Sequence, residues 1–257
     1  MRLPRGVWAV VGMVYLFLHL PALVLVVFSF NASKFSVQWT GFTLAWYRRL
    51  LERPDILRGL RLSLVVGAAS TVIATVLGTL IALALARHLV RGRRVYEGLL
   101  YVPVVTPEIV VGISLLMLFA LAGISLGVGT IIIAHVAFSI SFVVIVVLAR
   151  LSGMDRSLEE AAMMLGADEI TAFRRVTVPQ LWPGILAAAL LAFTMSFDDY
   201  VITSFVSGSG SSTLPVVVYG MVRRTVEPSV NAISAIILVV TTVLMTAADR
   251  LGRSRTA

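Results

Sequence analysis

Six long apolar runs constrain this chain more than any other feature of its sequence. A helix needs about 20 mostly apolar residues to cross the hydrocarbon core of a bilayer, and such runs lie at residues 7–30, 62–86, 101–122, 127–149, 184–206 and 231–248. Hydrophobic residues make up 59% of the 257 residues and charged residues 13%. A globule of this size could not hide so much apolar surface from water. The sequence therefore predicts an all-α integral membrane protein with six transmembrane helices.

The first and third runs carry additional local signals. The third run is separated from the fourth only by GISLG, which predicts a tight helical hairpin. Pro103, Pro107 and Gly112 predict a kinked start to this third run, which neighbouring helices can tolerate in a membrane. The first run follows Arg2 and Arg5, as a secretory signal would, but it exceeds the roughly 7–15 apolar residues of a signal and no A-x-A site follows. An uncleaved first helix is therefore favoured.

The arginines predict which side of the membrane each loop faces. Loops on the cytoplasmic side carry an excess of Lys and Arg, and the cluster RHLVRGRR after the second run is the strongest such signal. The arginines that this orientation places in the cytoplasm are Arg2, Arg5, Arg87, Arg91, Arg93, Arg94, Arg150, Arg156, Arg174, Arg175, Arg250, Arg253 and Arg255. Both termini, and the loop between the fourth and fifth runs, are therefore predicted to be cytoplasmic.

The 31–61 loop, predicted to lie outside, contains a short amphipathic helix. Trp46, Tyr47, Leu50 and Leu51 lie at helical spacing, with charged residues between them. Such a helix either rests at the headgroup level of the bilayer or offers a docking surface to an external partner. Both interpretations stay open.

A charged segment, EEAAMMLGADEITAFRRVTVP, interrupts the apolar pattern between the fourth and fifth runs. Ser157 followed by Glu160 matches a capping box, in which both side chains satisfy free amides at a helix start. Gly166 allows a left-handed cap at the end of that first helix. Asp168 can cap a second helix, which Pro179 is expected to end. The segment therefore predicts a helix–glycine–helix elbow at the cytoplasmic surface.

The second helix of the elbow carries an apolar ridge. Ile170, Phe173 and Val176 follow one another at intervals of three residues, flanked by charged side chains. An apolar ridge exposed to water favours docking into a groove of another protein.

The elbow resembles the EAA loop of ABC importer permeases. The likeness rests on Glu160, Ala161, Ala162, Gly166 and the end of the segment, where the family has I-x-L-P and this chain has VTVP, with valine at both aliphatic positions. Further stretches are similar to the spermidine/putrescine branch of type I importers, namely LRLSLVVGAASTVIATVLGTLIALALAR, PVVTPEIVVGISLL and SFDDYVITSFVSGSGSSTLPVVVYGMVRRTVEPSVNAISAIILV.

This resemblance implies a type I ABC importer transmembrane domain in the inner membrane of a bacterial cell. Such a permease subunit binds no cofactor and hydrolyses no ATP. It pairs with a second permease, rests on two copies of an ATPase that binds ATP and Mg²⁺, and receives substrate from an external binding protein. The residues expected to couple it to the ATPase are Glu160, Ala161, Ala162, Gly166, Ile170, Phe173, Val176 and Pro179, with Gly166 as the joint and Glu160 paired to a nearby cation.

Carboxylates inside the apolar runs are candidates for a substrate pathway, because charges are costly in the bilayer and usually functional. Asp198 and Asp199 lie about 14 residues into the fifth run, and Glu108 lies in the third. Polyamines are long cations, and aromatic faces attract ammonium groups. The aromatic residues that could join the carboxylates are Phe197, Tyr200 and Tyr219. The alternative role is a salt bridge to the partner permease or a helix-breaking site without a part in selectivity. Adjacent helical positions point about 100° apart, so the two aspartates are expected to face different neighbours.

Other function classes find little support in the sequence. An intramembrane enzyme would need a nucleophile–base pair or a metal cluster, and no such motif is visible. The chain has no cysteine, and His135 is expected to hydrogen-bond a neighbouring helix rather than a metal. Importers of phosphonate, sulfate or ferric iron share the elbow and remain alternatives. The predicted divisions are residues 1–61, a transmembrane core at 62–249 and a basic tail at 250–257.

Overall fold

The computed structural model describes residues 5–34, 38–87, 92–224 and 228–253, and these are almost entirely helical. Of the arginines used to predict orientation, Arg2, Arg91 and Arg255 lie outside the described residues, as do residues 254–257 of the predicted tail. In chain order the helices are α1 (Arg5–Phe28), α2 (Ala45–Leu51), α3 (Pro54–Arg87), α4 (Arg93–Val105), α5 (Glu108–Leu121), α6 (Val128–Ser152), α7 (Ser157–Met164), α8 (Glu169–Ala172), a π-helical turn (Phe173–Thr177), α9 (Val178–Asp198), α10 (Val201–Val206), α11 (Leu214–Arg224) and α12 (Pro228–Arg253).

The all-α membrane class is confirmed, but the count of six spans is not. Within the described ranges, four helices are long and apolar enough to cross a membrane: Gly6–Phe28, Pro54–Arg87, Val128–Ser152 and Glu169–Asp198. A bent pair of helices, Val95–Val105 and Glu108–Leu121, brings the number to five if the pair is one span. The sixth predicted run lies in α12, where the part with described side chains includes a shorter apolar helix, Pro228–Val243.

The third run consists of two separate helices rather than one helix with a kinked start. Its two helices meet at an angle of 106°. Thr106 between them is extended, with ψ 131°, because the ring of the following proline excludes the helical conformation from the residue before it. Pro107 then begins the next helix, where its missing N–H costs nothing. The predicted hairpin to the fourth run is present, since α5 ends at Leu121 and α6 begins at Val128.

The fifth run also differs from its prediction. Its helix begins well before residue 184 and ends at Asp198. Asp199 has an extended ψ of 123°, and a separate short helix follows at Val201–Val206. The two aspartates therefore sit at a break in the helix, not inside a continuous span.

The chain forms two compact units, one of residues 1–57 with 217–244 and one of residues 58–216 with 245–257. In the first unit the 31–61 loop is organised around the buried Asn31. Its side chain donates to the carbonyl of Gln38 and accepts from the amide of Thr40, at 2.7 and 3.0 Å, while its own carbonyl accepts from the indole of Trp46 at 2.8 Å. Trp46 and Leu50 of α2 are thus buried in protein, whereas Leu51 is exposed.

The second unit packs α3, α6 and α9 closely. Its larger apolar core consists of Ala74, Ala82, Leu85, Val143, Val144, Val147, Leu181, Ala188 and Ala192. Small residues allow the helices to approach closely. A Cβ atom at Gly78 would lie 2.6 Å from Cγ1 of Val143 and 3.3 Å from the carbonyl oxygen of Ile140.

Gly78→Ala should therefore destabilise the protein despite the better helix propensity of alanine. Val143 is fully buried and cannot turn away, so the added methyl must separate α3 from α6, at a cost of about 1–3 kcal/mol. Thermal unfolding in detergent measures the effect. The matched control is Gly98→Ala in α4, where a Cβ meets nothing within 4 Å. Equal stability of the two variants would contradict the close packing.

Candidate functional site

The elbow between α6 and α9 begins with a cap that differs from the predicted capping box. The residue before α7 is Arg156, and no capping side chain comes from Ser157. Instead, a carboxylate oxygen of Asp155 accepts the backbone N–H of Ser157 at 2.9 Å. Hydrogen bonds from the Ser157 amide and hydroxyl hold the pKa of the Asp155 carboxyl below its usual range. The aspartate two residues upstream caps the helix because its short side chain reaches the first free amide.

Gly166 ends α7 as predicted. Its φ is +94°, a region that side chains with a Cβ rarely adopt. The amide of Gly166 donates to the carbonyl of Met163 at 2.9 Å, and that of Ala167 to the carbonyl of Ala162 at 3.1 Å. These two bonds form a Schellman motif, which satisfies the last carbonyls of the helix. The turn between the two elbow helices is therefore closed by backbone hydrogen bonds.

Substitutions at Gly166 separate backbone conformation from packing. A Cβ here would meet nothing within 4 Å, so Gly166→Ala adds only the strain of the left-handed conformation, about 1–2 kcal/mol. Gly166→Pro should be worse, since proline fixes φ near −65° and removes the amide bonded to Met163. Hydrogen exchange of the elbow amides measures the difference. Equal protection in the two variants would contradict the role of the turn.

The second elbow helix continues into the membrane without a stop. Asp168 lies at its N-cap position in extended backbone, and the Thr171 side chain lowers the pKa of the Asp168 carboxyl by hydrogen bonding. The predicted end at Pro179 is wrong, because the helix runs from Glu169 to Asp198. The π turn at Phe173–Thr177 precedes the proline, and the Val178 amide bonds to the Phe173 carbonyl. The looser turn accommodates a residue that cannot donate an amide.

The apolar ridge is only partly exposed. Ile170 is 67% exposed, but Phe173 and Val176 are half-buried. The guanidinium of Arg87 covers the Phe173 ring, and Val176 lies six residues from Ile170, which is about 120° around a helix. The strongly exposed apolar side chains beside Ile170 are Met164 and Leu165, at 89% and 90%. We call Met164, Leu165 and Ile170 the apolar patch of the elbow.

Of the remaining predicted coupling residues, Glu160 lines a groove of the elbow. Glu160 and Ala161 are exposed and Ala162 is half-buried. The groove has a volume of about 320 Å³ and is lined by Ala86, Arg87, Leu151, Met154, Asp155, Arg156, Glu159, Glu160, Met163, Glu169, Val176, Thr177 and Gln180. Four carboxylates against two arginines give it an acidic balance.

The ion pair of the elbow belongs to Glu159 and not to Glu160. An oxygen of Glu159 lies 2.7 Å from Nη2 of Arg87 and accepts the hydroxyl of Thr177 at 2.9 Å. Within the part of the chain that the structure describes, Glu160 makes no ion pair, so the expected pairing of Glu160 with a cation is not found. The sequence offered no sign of the Arg87 contact, because 72 residues separate the two partners.

A second candidate site is a buried polar cluster around the break at Asp199. His135 of α6 is fully buried. Its Nδ1 lies 2.6 Å from the hydroxyl of Ser196, and its Nε2 lies 3.2 Å from Asp199 Oδ2 and 3.0 Å from the Thr203 hydroxyl. Ser196 also contacts the hydroxyl of Ser70 on α3 at 2.9 Å. The cluster therefore joins α3, α6, α9 and α10.

Asp199 supplies the cap of α10. Its carboxylate accepts the amides of Ile202 and Thr203 at 3.2 and 2.7 Å and the Thr203 hydroxyl at 2.7 Å. The hydrogen bond predicted between His135 and a neighbouring helix is present. Asp199 is the carboxylate that contacts His135 across the two helices. The spacing of Asp199 and Thr203, four residues apart at a helix start, is the sequence signal that could have revealed the cap.

The other predicted pathway residues are distributed around this break and beyond it. Asp198 is exposed, and Phe197 stacks on Phe193 with ring centroids 5.8 Å apart. Tyr200 is half-buried at the break, and Glu108 is exposed at the first position of α5. Tyr219, 45% exposed, belongs to the other compact unit. The described residues contain no group of three or more His, Asp or Glu side chains that could hold a metal ion.

Comparison with known proteins places this arrangement among transporters. The spermidine/putrescine transport system permease protein PotC of Escherichia coli is 40% identical over 255 residues, 99% of this chain and 96% of that protein. PotC of Haemophilus influenzae is 36% identical over 240 residues, 93% of each. The putrescine transport system permease protein PotI of Escherichia coli is 40% identical over 243 residues, 91% of this chain and 86% of that protein. The resemblance that the sequence predicts is confirmed.

Solved structures show the same fold at lower identity. A bacterial ABC transporter involved in the import of the acidic polysaccharide alginate aligns with a TM-score of 0.75 at 15% identity, over 98% of this chain and 96% of that chain. An amino acid ABC transporter aligns with a TM-score of 0.64 at 22% identity, over 83% of this chain and 100% of that chain. These likenesses bear on the fold alone, which is that of ABC transporter transmembrane domains.

The family match extends over most of the chain. Residues 55–256 match the family described as binding-protein-dependent transport system inner membrane component. The protein is thus a multi-pass inner membrane protein and a transport subunit rather than an enzyme. On these grounds the chain belongs to the family of binding-protein-dependent transport system inner membrane components.

Proposed function

We propose that this chain is a permease subunit of an ATP-driven importer that moves polyamines, spermidine or putrescine, into the cytoplasm. The observation that supports a polyamine substrate is the 40% identity, over nearly the full length of both chains, to a permease named for spermidine and putrescine. The elbow supports the ATP-driven part of the proposal, because it presents an apolar patch on a turn closed by hydrogen bonds.

The elbow docks on an ATPase subunit. Each of two ATPase copies binds ATP and Mg²⁺, and a second homologous permease completes the membrane part. The apolar patch of Met164, Leu165 and Ile170 enters a cleft of the ATPase. Three side chains exposed to this extent are an unusual surface unless a partner covers them. The acidic groove beside the patch favours basic side chains at the rim of that cleft.

The docking surface faces the cytoplasm, as do both termini. The arginines that flank the predicted cytoplasmic ends of the spans support this orientation. Arg87 and Arg150 lie in the last turns of α3 and α6, and Arg174 and Arg175 lie in the π turn. The external binding protein then delivers substrate on the opposite side.

Closure of the ATPase dimer moves the elbow and, with it, the helices continuous with the elbow. The second elbow helix runs directly into α9, so a displacement of Ile170 is transmitted along one rod to the break at Asp199. At the other end, α6 is held to α9 by Arg150, whose Nε and Nη2 donate to the Gln180 carbonyl at 3.1 and 3.0 Å. The two helices rock together between inward- and outward-facing states.

The substrate pathway passes the break at the end of α9. The two aspartates have different roles there, since Asp199 is buried in hydrogen bonds and Asp198 is exposed. Asp198 attracts the ammonium groups of the polyamine, and the rings of Phe197 and Tyr200 contact its charges and methylene segments. Glu108 is a further candidate for the same pathway.

Reconstitution tests the proposal. The chain is co-expressed with the ATPase, second permease and binding protein of its own organism and placed in proteoliposomes. We expect ATP-dependent uptake of radiolabelled spermidine or putrescine, and ATP hydrolysis stimulated by the loaded binding protein. Uptake of sulfate, a phosphonate or ferric iron in place of polyamines would contradict the proposed polyamine substrate but would agree with the proposed importer function. Absence of ATP-dependent uptake of every one of these substrates would contradict the importer itself.

A further inference from the structure

The last turn of α3 is attached to the elbow, although the chain does not connect the two directly. Arg87 Nη2 donates to Glu159 of α7 at 2.7 Å and to the Thr177 hydroxyl of the π turn at 3.2 Å. The Thr177 hydroxyl in turn donates to the same Glu159 oxygen at 2.9 Å. These three side chains form a closed triangle of hydrogen bonds. It joins one spanning helix to both helices of the elbow.

Arg87 also covers the second elbow helix. Its guanidinium carbon lies 4.9 Å from the centroid of the Phe173 ring. A planar guanidinium can stack on an aromatic face while its edge donates hydrogen bonds, which an ammonium group cannot do as well. Phe173 follows Ile170 by three residues, so the stacked ring lies next to the apolar patch. Any displacement of this helix therefore acts directly on Arg87.

A reciprocal contact fixes the same end of α3. Arg156, at the start of α7, donates from Nη2 to the carbonyl of Ala86 at 2.8 Å. The last carbonyls of a helix lack partners within it, and here a side chain from the elbow supplies one. Arg87 reaches from α3 to the elbow and Arg156 reaches back from the elbow to α3. Two independent contacts thus hold the same pair of elements.

The Arg87 triangle is partly shielded from water. The side chains of Arg87 and Glu159 are 33% and 20% exposed, and Thr177 is 3% exposed. For comparison, the Arg93–Glu97 ion pair within α4 has the same 2.7 Å distance but exposures of 55% and 38%. Exposed pairs of this second kind contribute little. The Arg93–Glu97 pair therefore provides a matched control.

We propose that Arg87 is a positioning residue that makes α3 move with the elbow, so that three spanning helices, α3, α6 and α9, respond to the ATPase. The inference rests on the proposed function for the identity of the driving motion. Helices α6 and α9 receive that motion through the chain itself. Helix α3 receives it through the side-chain contacts of Arg87 with Glu159, Thr177 and the ring of Phe173, beside the Arg156–Ala86 contact and the packing of α3 on α6 and α9.

The test measures substrate molecules imported per ATP hydrolysed by the full complex in proteoliposomes. Arg87→Met removes the charge and the stacking plane but keeps an unbranched side chain. We expect this ratio to fall about tenfold, within the range of coupling between distant sites. Arg93→Met, the matched control, should leave the ratio unchanged. A wild-type ratio for an assembled Arg87→Met complex overturns the proposal. Failure of the proposed function is distinguishable, because the unsubstituted complex would then import nothing with ATP.

A double-mutant cycle separates the triangle from a general loss of stability. If Arg87 acts through Glu159, the double variant Arg87→Met/Glu159→Gln should import no less substrate per ATP than the worse of the two single variants. If the loss in the double variant instead equals the product of the two single losses, the two residues act independently and the pairing is overturned. Arg87→Lys should recover only part of the ratio, since lysine keeps the charge without the planar fork.

A distance measurement keeps the proposal testable even if the Arg87 variants fail to assemble. The chain has no cysteine, so spin labels at Ala84→Cys and Arg174→Cys are the only ones this subunit carries. Both positions are exposed, on α3 and on the π turn respectively. With Arg87 present, we expect the same distance between the labels in the nucleotide-free and ATP-bound complexes. A distance that changes between these states would show that α3 does not follow the elbow, and would overturn the proposal.

Discussion

Replacing Leu165 and Ile170 together by aspartate should abolish import while leaving the permease folded. Both side chains are exposed, at 90% and 67%, so the change removes no internal packing. In the assembled importer, however, each would carry a charge into the apolar cleft of the ATPase. Buried anchor residues at interfaces contribute about 2 kcal/mol or more each, and an unpaired buried carboxylate adds a further penalty. Uptake in proteoliposomes should therefore fall by at least about 100-fold.

Two measurements make this first prediction specific. Thermal unfolding of the isolated permease in detergent should be unchanged by the double substitution. The control pair, Leu165→Met with Ile170→Leu, keeps the patch apolar and should retain uptake within about twofold, as volume-conserving changes usually do. Normal uptake by the aspartate variant would show that the apolar patch is not the docking surface. The alternative target, Phe173, is unsuitable because it is half-buried against Arg87.

The second prediction with a large effect concerns two adjacent aspartates, of which Asp199 stabilises the fold and Asp198 does not. Asp199→Leu should unfold the region around the helix break, because it leaves two amides of α10, the Thr203 hydroxyl and His135 without their acceptor. Each buried polar group left unpaired costs about 1–3 kcal/mol. The midpoint of thermal unfolding in detergent should fall by about 10 °C. Asp198→Leu should leave that midpoint unchanged.

In the transport assay the informative residue is Asp198 rather than Asp199. Asp198→Leu yields a folded complex whose spermidine uptake should fall about tenfold, the effect of losing one favourable charge contact of roughly 1.4 kcal/mol. Asp198→Asn distinguishes charge from shape and should be nearly as poor. Unchanged uptake in Asp198→Asn would remove this residue from the pathway. An unchanged unfolding midpoint in Asp199→Leu would contradict the capping role of Asp199.

Most of the architecture could be predicted because hydrophobic length and capping chemistry are local properties. The hairpin between the third and fourth runs and the left-handed turn at Gly166 each depend on residues within one or two turns of helix. The elbow and its family could be recognised from residues 160–179 alone. The predicted helix end at Pro179 failed because the helix continues through the proline. At Thr106 and Asp199 the helix does break, but long apolar stretches lie on both sides of each break. Hydropathy therefore gave no signal of the change in direction.

The candidate site was predicted less completely because its decisive contacts join distant parts of the chain. Asp199 and His135 are 64 residues apart, and Arg87 and Thr177 are 90 apart. Nothing in their local sequence distinguishes them from other polar residues in or near a span. The observed apolar patch differs from the predicted apolar ridge for another reason. Residues at intervals of three drift around a helix by about 60° per step, so Ile170, Phe173 and Val176 do not share one exposed face.

The π turn also joins the elbow to the membrane part of its own helix. Its five residues, Phe173–Thr177, contain one residue more than the corresponding α-helical turn would use. Loss of a single residue here would restore regular α-helical winding and keep the segments before and after the turn in nearly the same relative orientation, because the wider turn absorbs the extra residue. Loss of a residue from the regular α-helix on either side would instead rotate the apolar patch by about 100° relative to the rest of α9. The five-residue segment is thus a place where this helix can change in length by one residue while the docking surface keeps its direction.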